Sequence, residues 1–299
     1  MALVKVYFEK TKHYQAEYGD NTVVLMQVGA FFEIYGLENK ATGAITGSKI
    51  TDLSRICDLN IADKKMASGD DTVIMAGFSH YMIDKYLKKL QGAGYTIAVY
   101  VQDEQAKNTT RSLQGIYSPG TYFSPDTTKI TNNTTCIWVQ VETSSILQKN
   151  RNRMVRIGLA NIDIYTGKSS IFEFSEIYIN NPTTFDELER FISIYCPCEV
   201  IIIGNVLDKE LDDILNYSNV QCKTIHKICL LEQNSPLEQV KRAFNSEKQT
   251  YQKELLEKVY ELSNIDSDVF LQNFYQNVIA TQAFCFLLDF IYQHNPNLV

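Results

Sequence analysis

No stretch of this sequence is long and apolar enough for a transmembrane helix, and its N-terminus lacks a signal-peptide pattern, so no membrane partner is expected. The signatures of hydrolytic and nucleotide-using enzymes are missing too: there is no GxxxxGK[ST] phosphate loop, no HExxH and no GxSxG. No catalytic site, metal or other cofactor is therefore expected within these residues. Histidine is scarce, with His13, His80, His226 and His294 far apart, and each reads better as a surface or satisfied core residue than as a base. The seven cysteines are odd in number and scattered from Cys57 to Cys285, which argues against a disulfide framework and for an intracellular, reducing compartment. Cys196-Pro197-Cys198 separates its thiols by one residue, and no second pair or nearby His completes a zinc set.

Positive charge is not in excess either. The formal net charge is −7, which argues against strong non-specific binding to duplex DNA by the chain as a whole. Residues 1–115 balance 13 Lys or Arg against 13 Asp or Glu, whereas residues 116–299 hold 15 against 22. A nucleic-acid surface would therefore be a local patch in the first segment. At 299 residues, 45% hydrophobic and 21% charged, the chain has the composition of a folded protein with two domains and part of a third.

What is present is concentrated in Val23–Gly36, VVLMQVGAFFEIYG. Its first six residues read as a buried strand, and Gly29 then permits a close turn. On an extended segment Phe31, Glu33 and Tyr35 share one face and Ala30, Phe32 and Ile34 the other. One reading is an edge strand or a short helix start with its aromatics in the core. The other presents Phe31 to a planar partner with Glu33 beside it as an acceptor. A nucleic-acid base suits both roles, its face stacking on the ring and its edge donating to the carboxylate.

Residues 4–18 read as a strand or helix, with helix favoured. Residues 37–49 read as loop and Ile50–Leu59 as a short helix. Thr72–Ala76 is a short buried strand. Tyr81–Gln91 is a helix with Ser79 as its N-cap and Lys85, Lys88 and Lys89 on the outside, and Tyr95–Val101 is another strand. Alternating strands and helices imply an α/β domain over about 1–115, with polar 103–115 as a connector. A second domain, about 116–230, begins with strands at Cys136–Val141, Val155–Ile164 and Ser169–Phe174, in the manner of an antiparallel meander. Helices at Phe185–Ser193 and Leu207–Leu215 flank a buried strand, Glu199–Ile203, and Gln221–Ile228 is an ambiguous strand. Long helical patterns at 237–262 and 268–293 open a third, helical region, 231–299, without a convincing closing element, as in a fragment of a longer protein.

Asp163, in LANIDIYTG, is placed to suit the first metal-binding carboxylate of a ribonuclease H-like nuclease. Glu142, Asp186, Glu187 and Glu189 are available as partners, but their spacing predicts no site.

The combination of segments resembles the MutS family. VGAFFEIYG is similar to that family's mismatch-recognition signature, G-[DS]-F-[YF]-E-x-[FY], through Gly29, Phe31, Phe32, Glu33 and Tyr35. Met75-Ala76-Gly77 with Tyr86-Leu87, Lys89-Leu90 and Gly94 resembles MAGIPxH…YLxKL. The strand ending at Gln102 resembles VAxxxQ, and Ser118-Pro119-Gly120-Thr121 resembles TPGT. Leu159-Ala160, Asp163 and Thr166-Gly167 resemble the start of the connector domain, ribonuclease H-like but without nuclease activity in this family. Ala30 departs from the usual Asp or Ser, Ser79 from the usual Pro, and Tyr81 falls where the family has His. The Tyr- and Asn-rich character is similar to the branch of large DNA viruses and octocoral mitochondria. That likeness implies a viral replication compartment or virion, or alternatively the mitochondrion.

The resemblance implies an α/β architecture: a mixed-sheet mismatch-recognition domain at 1–115, a ribonuclease H-like connector at 116–230 and the start of an all-helical core at 231–299. It places Phe31 as the wedge that stacks on a mispaired base and Glu33 as the acceptor for that base. Lys85, Lys88, Lys89, Lys107 and Arg111 become candidates for contacts to the DNA backbone. It implies mismatched double-stranded DNA as partner, a homodimer in the full-length protein, and a DNA-dependent ATPase using ATP and Mg²⁺ in a region beyond these residues. The rival reading is a MutS-derived protein that serves recombination or acts as a scaffold without reading mismatches.

Overall fold

A computed structural model of the chain describes residues 2–69, 71–103, 110–121, 130–143, 153–231, 235–261, 271–272 and 274–298. It divides into two compact units, Met1–Ser124 and Pro125–Val299. Residues 116–121 fall within the first unit, and the helices from Glu238 onward fall within the second.

The first unit is a mixed α/β sheet. Its strands are β1 (Thr22–Val28), β2 (Phe31–Asn39), β3 (Ile45–Thr46), β4 (Ala62–Ser68), β5 (Asp71–Ser79), β6 (Thr96–Gln102) and β7 (Arg111–Tyr117). The order is β4-β5-β2-β1-β6-β7, with β3 paired to β2. All pairings are antiparallel except β1 with β6, which run parallel from Thr22 beside Thr96 to Met26 beside Tyr100. The continuous apolar runs VVLM and IAV occupy these two central strands because both of their faces are covered. On one face lies α1 (Ala2–Tyr18), whose Tyr7 meets Tyr35 edge-on with ring centres 5.0 Å apart. On the other lie α2 (Ile50–Cys57) and α3 (Ile83–Gly92). There Phe78 lies between Phe32 and Tyr86 of α3 with tilted rings, and Gly36 leaves room for Ile50 of α2.

Three expectations change here. The segment 37–49 is no simple loop, since β2 runs on to Asn39 and pairs with β3. The polar connector contains β7, an edge strand hydrogen-bonded to β6. Ser79 ends β5 and precedes a 3₁₀ turn, His80–Met82, without a side-chain capping bond.

The second unit has five strands, β8 (Asn133–Thr143), β9 (Arg153–Asp163), β10 (Ser169–Ile177), β11 (Glu199–Gly204) and β12 (Thr224–Cys229), in the order β10-β9-β8-β11-β12. The first three form the expected antiparallel meander, and β11 joins β8 and β12 in parallel. Helices α4 (Asp186–Tyr195) and α5 (Asp208–Tyr217) bury Leu188, Phe191, Ile192, Leu211 and Ile214 against Val155, Ile157, Val200 and Ile202. The first long helical pattern is broken into α6 (Glu238–Ser246) and α7 (Gln249–Val259), because Lys248 adopts extended backbone.

The last helix, α8 (Val278–His294), is apolar on nearly all sides and buried. It crosses the sheet at Gly158 of β9, where an added Cβ would lie 2.2 Å from the Ile279 carbonyl carbon. Glu173 of β10 accepts the Ile279 and Ala280 N–H groups at 2.8 and 3.1 Å. A carboxylate from a neighbouring strand thus satisfies the first turn of the helix and favours its dipole.

Candidate nucleic-acid interface

The signature stretch forms the β1–β2 hairpin. Val28 pairs with Phe31, so Gly29 and Ala30 make a two-residue loop. Only Gly29 has positive φ, 59°, the pattern of a type II′ turn with glycine first. The loop is held from both sides. On one flank the Gly29 N–H donates to Gln102 Oε1 at 3.1 Å, and the Gln102 N–H donates to Gln27 Oε1 at 2.9 Å. Arg111 Nε donates to the Gln27 carbonyl at 2.6 Å. On the other flank the His80 N–H and ring Nδ1 both reach the Ala30 carbonyl, at 2.9 and 3.1 Å.

Phe31 leaves this fixed tip with 52% of its surface exposed, while Phe32, Ile34 and Tyr35 are buried. A large apolar ring held in solvent on a hairpin strapped by at least five hydrogen bonds is not explained by core packing. A second exposed ring follows His80, the residue that straps the Ala30 carbonyl. Tyr81, 83% exposed, packs on His80 with ring centres 3.8 Å apart.

Of Phe31, Glu33 and Tyr35, which alternate onto one side of β2, only Phe31 is exposed. Tyr35 is fully buried against Tyr7 of α1, and Glu33 is 7% exposed beside Tyr35 and Lys64. Glu33 accepts from the Tyr35 hydroxyl at 2.5 Å and from Lys64 Nζ at 2.6 Å, both on Oε2. Burial first, and then the bond to Glu33, pushes the Tyr35 phenol far above its usual range, so it stays protonated and donates. Gly77 gives the Glu33 stem its room. A Cβ there would lie 2.8 Å from the Phe32 carbonyl oxygen and 3.4 Å from Glu33 Cγ.

Lys64 is the residue that sequence reasoning missed. It lies on β4, where the register against β5 slips between Asp63 and Met66 and Lys65 takes positive φ, 56°. The bulge brings Lys64 Nζ to Glu33 and to within 5.4 Å of the Tyr35 ring centre. In the sequence Ser68-Gly69-Asp70-Asp71 reads as a turn, but the charged ADKKMAS before it does not look like a strand.

The other candidates are dispersed. Lys85 and Lys88 are exposed on α3, with Lys85 Nζ 5.6 Å from the Tyr86 ring centre. Lys89 pairs with Asp58 at 3.0 Å. Arg111 is brought to the hairpin, but its Nε holds backbone there. Lys107 lies outside the described residues.

In the second unit, Asp163 is a turn residue rather than part of a carboxylate cluster. Its oxygens accept the Asn132 and Tyr165 N–H groups at 2.8 and 3.1 Å and the Thr166 hydroxyl at 2.6 Å. Burial by itself would raise this carboxyl. The donors from Asn132, Thr166 and Tyr165 outweigh that and hold it below its usual value. Glu142, one of the carboxylates whose spacing predicts no site with it, pairs with Arg156 at 3.1 Å. Among the described residues no group of three or more His, Cys, Asp or Glu is arranged to hold a metal. None of the helices among them is long and apolar enough to cross a membrane.

Residues 3–126 match the family described as MutS domain I. A protein of Acanthamoeba polyphaga mimivirus, named as a mutS homologue of DNA mismatch repair, is 26% identical over 98% of this chain and 27% of its own length. The DNA mismatch repair protein MutS of Parabacteroides distasonis is 28% identical over 67% of this chain and 19% of its own. That of Clostridium beijerinckii is 27% identical over 72% and 20%. The chain spans about a fifth to a quarter of the length of these relatives.

Proposed function

We propose, from the premise that this chain belongs to the MutS family through its residues 3–126, that it reads mispaired or unpaired bases in duplex DNA. It would do so as the N-terminal part of an ATP-dependent mismatch repair protein. The observation that carries this reading is Phe31, an exposed ring on a strapped hairpin tip with a carboxylate two residues behind it.

The chemistry is differential deformation. Inserting a ring between base pairs requires unstacking and a kink, which cost least where pairing is already poor. A carboxylate close to phosphates weakens binding to intact duplex and recovers that loss only where a base N–H is free to donate. Together they select a weak step rather than a sequence. The exposed Lys85 and Lys88 are proposed backbone contacts. Lys89 would first have to leave Asp58, and Arg111 is assigned to fixing the hairpin. The whole protein would dimerise with a second copy and use ATP and Mg²⁺ in a region outside these residues. The mimivirus relative aligns over 98% of the chain, which favours the viral branch and a compartment where viral DNA is copied.

The test compares binding of the full-length protein to a G·T-mismatched and a perfect duplex at fixed salt. A mismatch preference is expected, reduced by Phe31→Ala about tenfold or more, the range of one lost base–aromatic stack. Equal binding to both duplexes, unchanged by the substitution, would refute the reading and favour the recombination or scaffold role.

A further inference from the structure

We propose that Lys64 and Tyr35 are positioning residues for Glu33: they clamp one carboxylate oxygen, Oε2, and so present the other, Oε1, as a preset acceptor for the N–H of an unstacked base beside Phe31. This rests on the mismatch-reading function proposed above and names two further residues that set its specificity.

The geometry is asymmetric. The Tyr35 hydroxyl and the Lys64 ammonium both meet Oε2, at 2.5 and 2.6 Å, and no hydrogen bond among the described residues takes Oε1. The clamp is itself fixed. Tyr35 is packed under Tyr7 of α1, and Lys64 is set by the β4 bulge, where the Lys65 N–H donates to Asp63 Oδ1 at 2.6 Å. The Glu33 side chain is 9% exposed and that of Lys64 26%, so the pair is partly open to solvent, with Glu33 two residues along β2 from the exposed Phe31.

Two consequences follow from elementary chemistry. A glutamate loose in solvent must give up rotamer freedom to accept a bond, whereas one locked by folding has already lost it, so more of the bond's strength appears as discrimination. A carboxylate also repels the phosphates on either side of a base. An ammonium 2.6 Å from the far oxygen offsets much of that field while leaving the near oxygen able to accept. Lys64 thereby lets an acidic side chain operate at a DNA surface.

The test again uses the full-length protein and the ratio of dissociation constants for perfect and G·T duplexes at fixed salt, with thermal melting to verify folding. Lys64→Met keeps the aliphatic stem and removes the charge, and Tyr35→Phe removes only the hydroxyl. Each is expected to lower the ratio about tenfold, the scale of one hydrogen bond to a charged group. Lys64→Arg should retain most of it. In a Glu33→Gln background neither Lys64→Met nor Tyr35→Phe should lower the ratio further. A wild-type preference that Phe31→Ala abolishes but Lys64→Met and Tyr35→Phe leave intact would overturn this inference and spare the mismatch reading. Equal drops with and without Glu33→Gln would overturn it too, because the residues would then act on phosphate or fold. Should Lys64→Met fail to fold, Tyr35→Phe, which changes one atom, decides by the same criteria. No preference in the wild type would remove both readings together.

Discussion

Gly158→Ala is expected to destabilise the second unit by about 3 kcal/mol or more, at or above the upper end of ordinary overpacking. The added Cβ would lie 2.2 Å from the Ile279 carbonyl carbon, 2.3 Å from the Ala280 nitrogen and 2.4 Å from the Ile279 oxygen. These are backbone atoms in the first turn of α8, so no side-chain rotation can relieve the contact. The helix must move off the sheet, and moving it strains the bonds from Ile279 and Ala280 to Glu173. The single tryptophan gives a local probe. Trp138 is buried and is the register partner of Gly158 across β8 and β9. Urea unfolding followed by its fluorescence should show the midpoint lowered by roughly 1.5 M, taking a slope of about 2 kcal/mol per molar. An unchanged midpoint would mean that α8 does not cross β9 at this point.

Acid should weaken the same unit through His294. This histidine is buried at the end of α8, with its Nδ1 2.8 Å from the Phe290 carbonyl and its ring 4.1 Å from that of Phe290. Burial is the main cause that lowers its pKa from 6.5 to about 4; Glu199 and the Phe290 carbonyl oppose the change, and His226 and Arg242 add to it. The unfolded chain therefore binds this proton between pH 6.5 and 4 while the folded one does not, so stability is full above 6.5 and falls as pH drops through the window. The accumulated loss is about 3 kcal/mol. Asp289 runs the other way, since burial raises its carboxyl and its contribution grows on acidification. It is present in both proteins when wild type is compared with His294→Leu, so the difference isolates the histidine. The variant should unfold with a flatter pH dependence between 6.5 and 4, and parallel profiles would count against the buried neutral histidine.

The strands with continuous apolar runs were legible. VVLM in β1, IAV in β6 and VIII in β11 had no other place than the middle of a sheet. The β8–β10 meander was legible for a related reason, because turn residues separate its apolar segments. The strands that escaped notice are the edges. β4 reads ADKKMAS and β7 begins RSLQG, both of which look like loop because an edge strand needs little apolar surface and tolerates charge. Propensity reports burial more than pairing, so it fails where pairing occurs without burial.

The candidate site divides in the same way. A local motif was enough to select Phe31 and Glu33 and to predict the turn at Gly29, since a two-residue hairpin with glycine first is a property of neighbouring residues. Alternation placed Phe31, Glu33 and Tyr35 on one side of β2 but carried no information about what covers that side. Only packing decided that Phe31 stays exposed while Tyr35 is buried against α1 and Glu33 beside Tyr35 and Lys64. Only packing brought Lys64 across 31 residues to the carboxylate, and His226 across 27 to Glu199 on the neighbouring strand. Periodicity and motif are short-range regularities of the chain. Exposure and ion pairing depend on distant segments meeting in space, and sheet order and helix placement set that meeting in this protein.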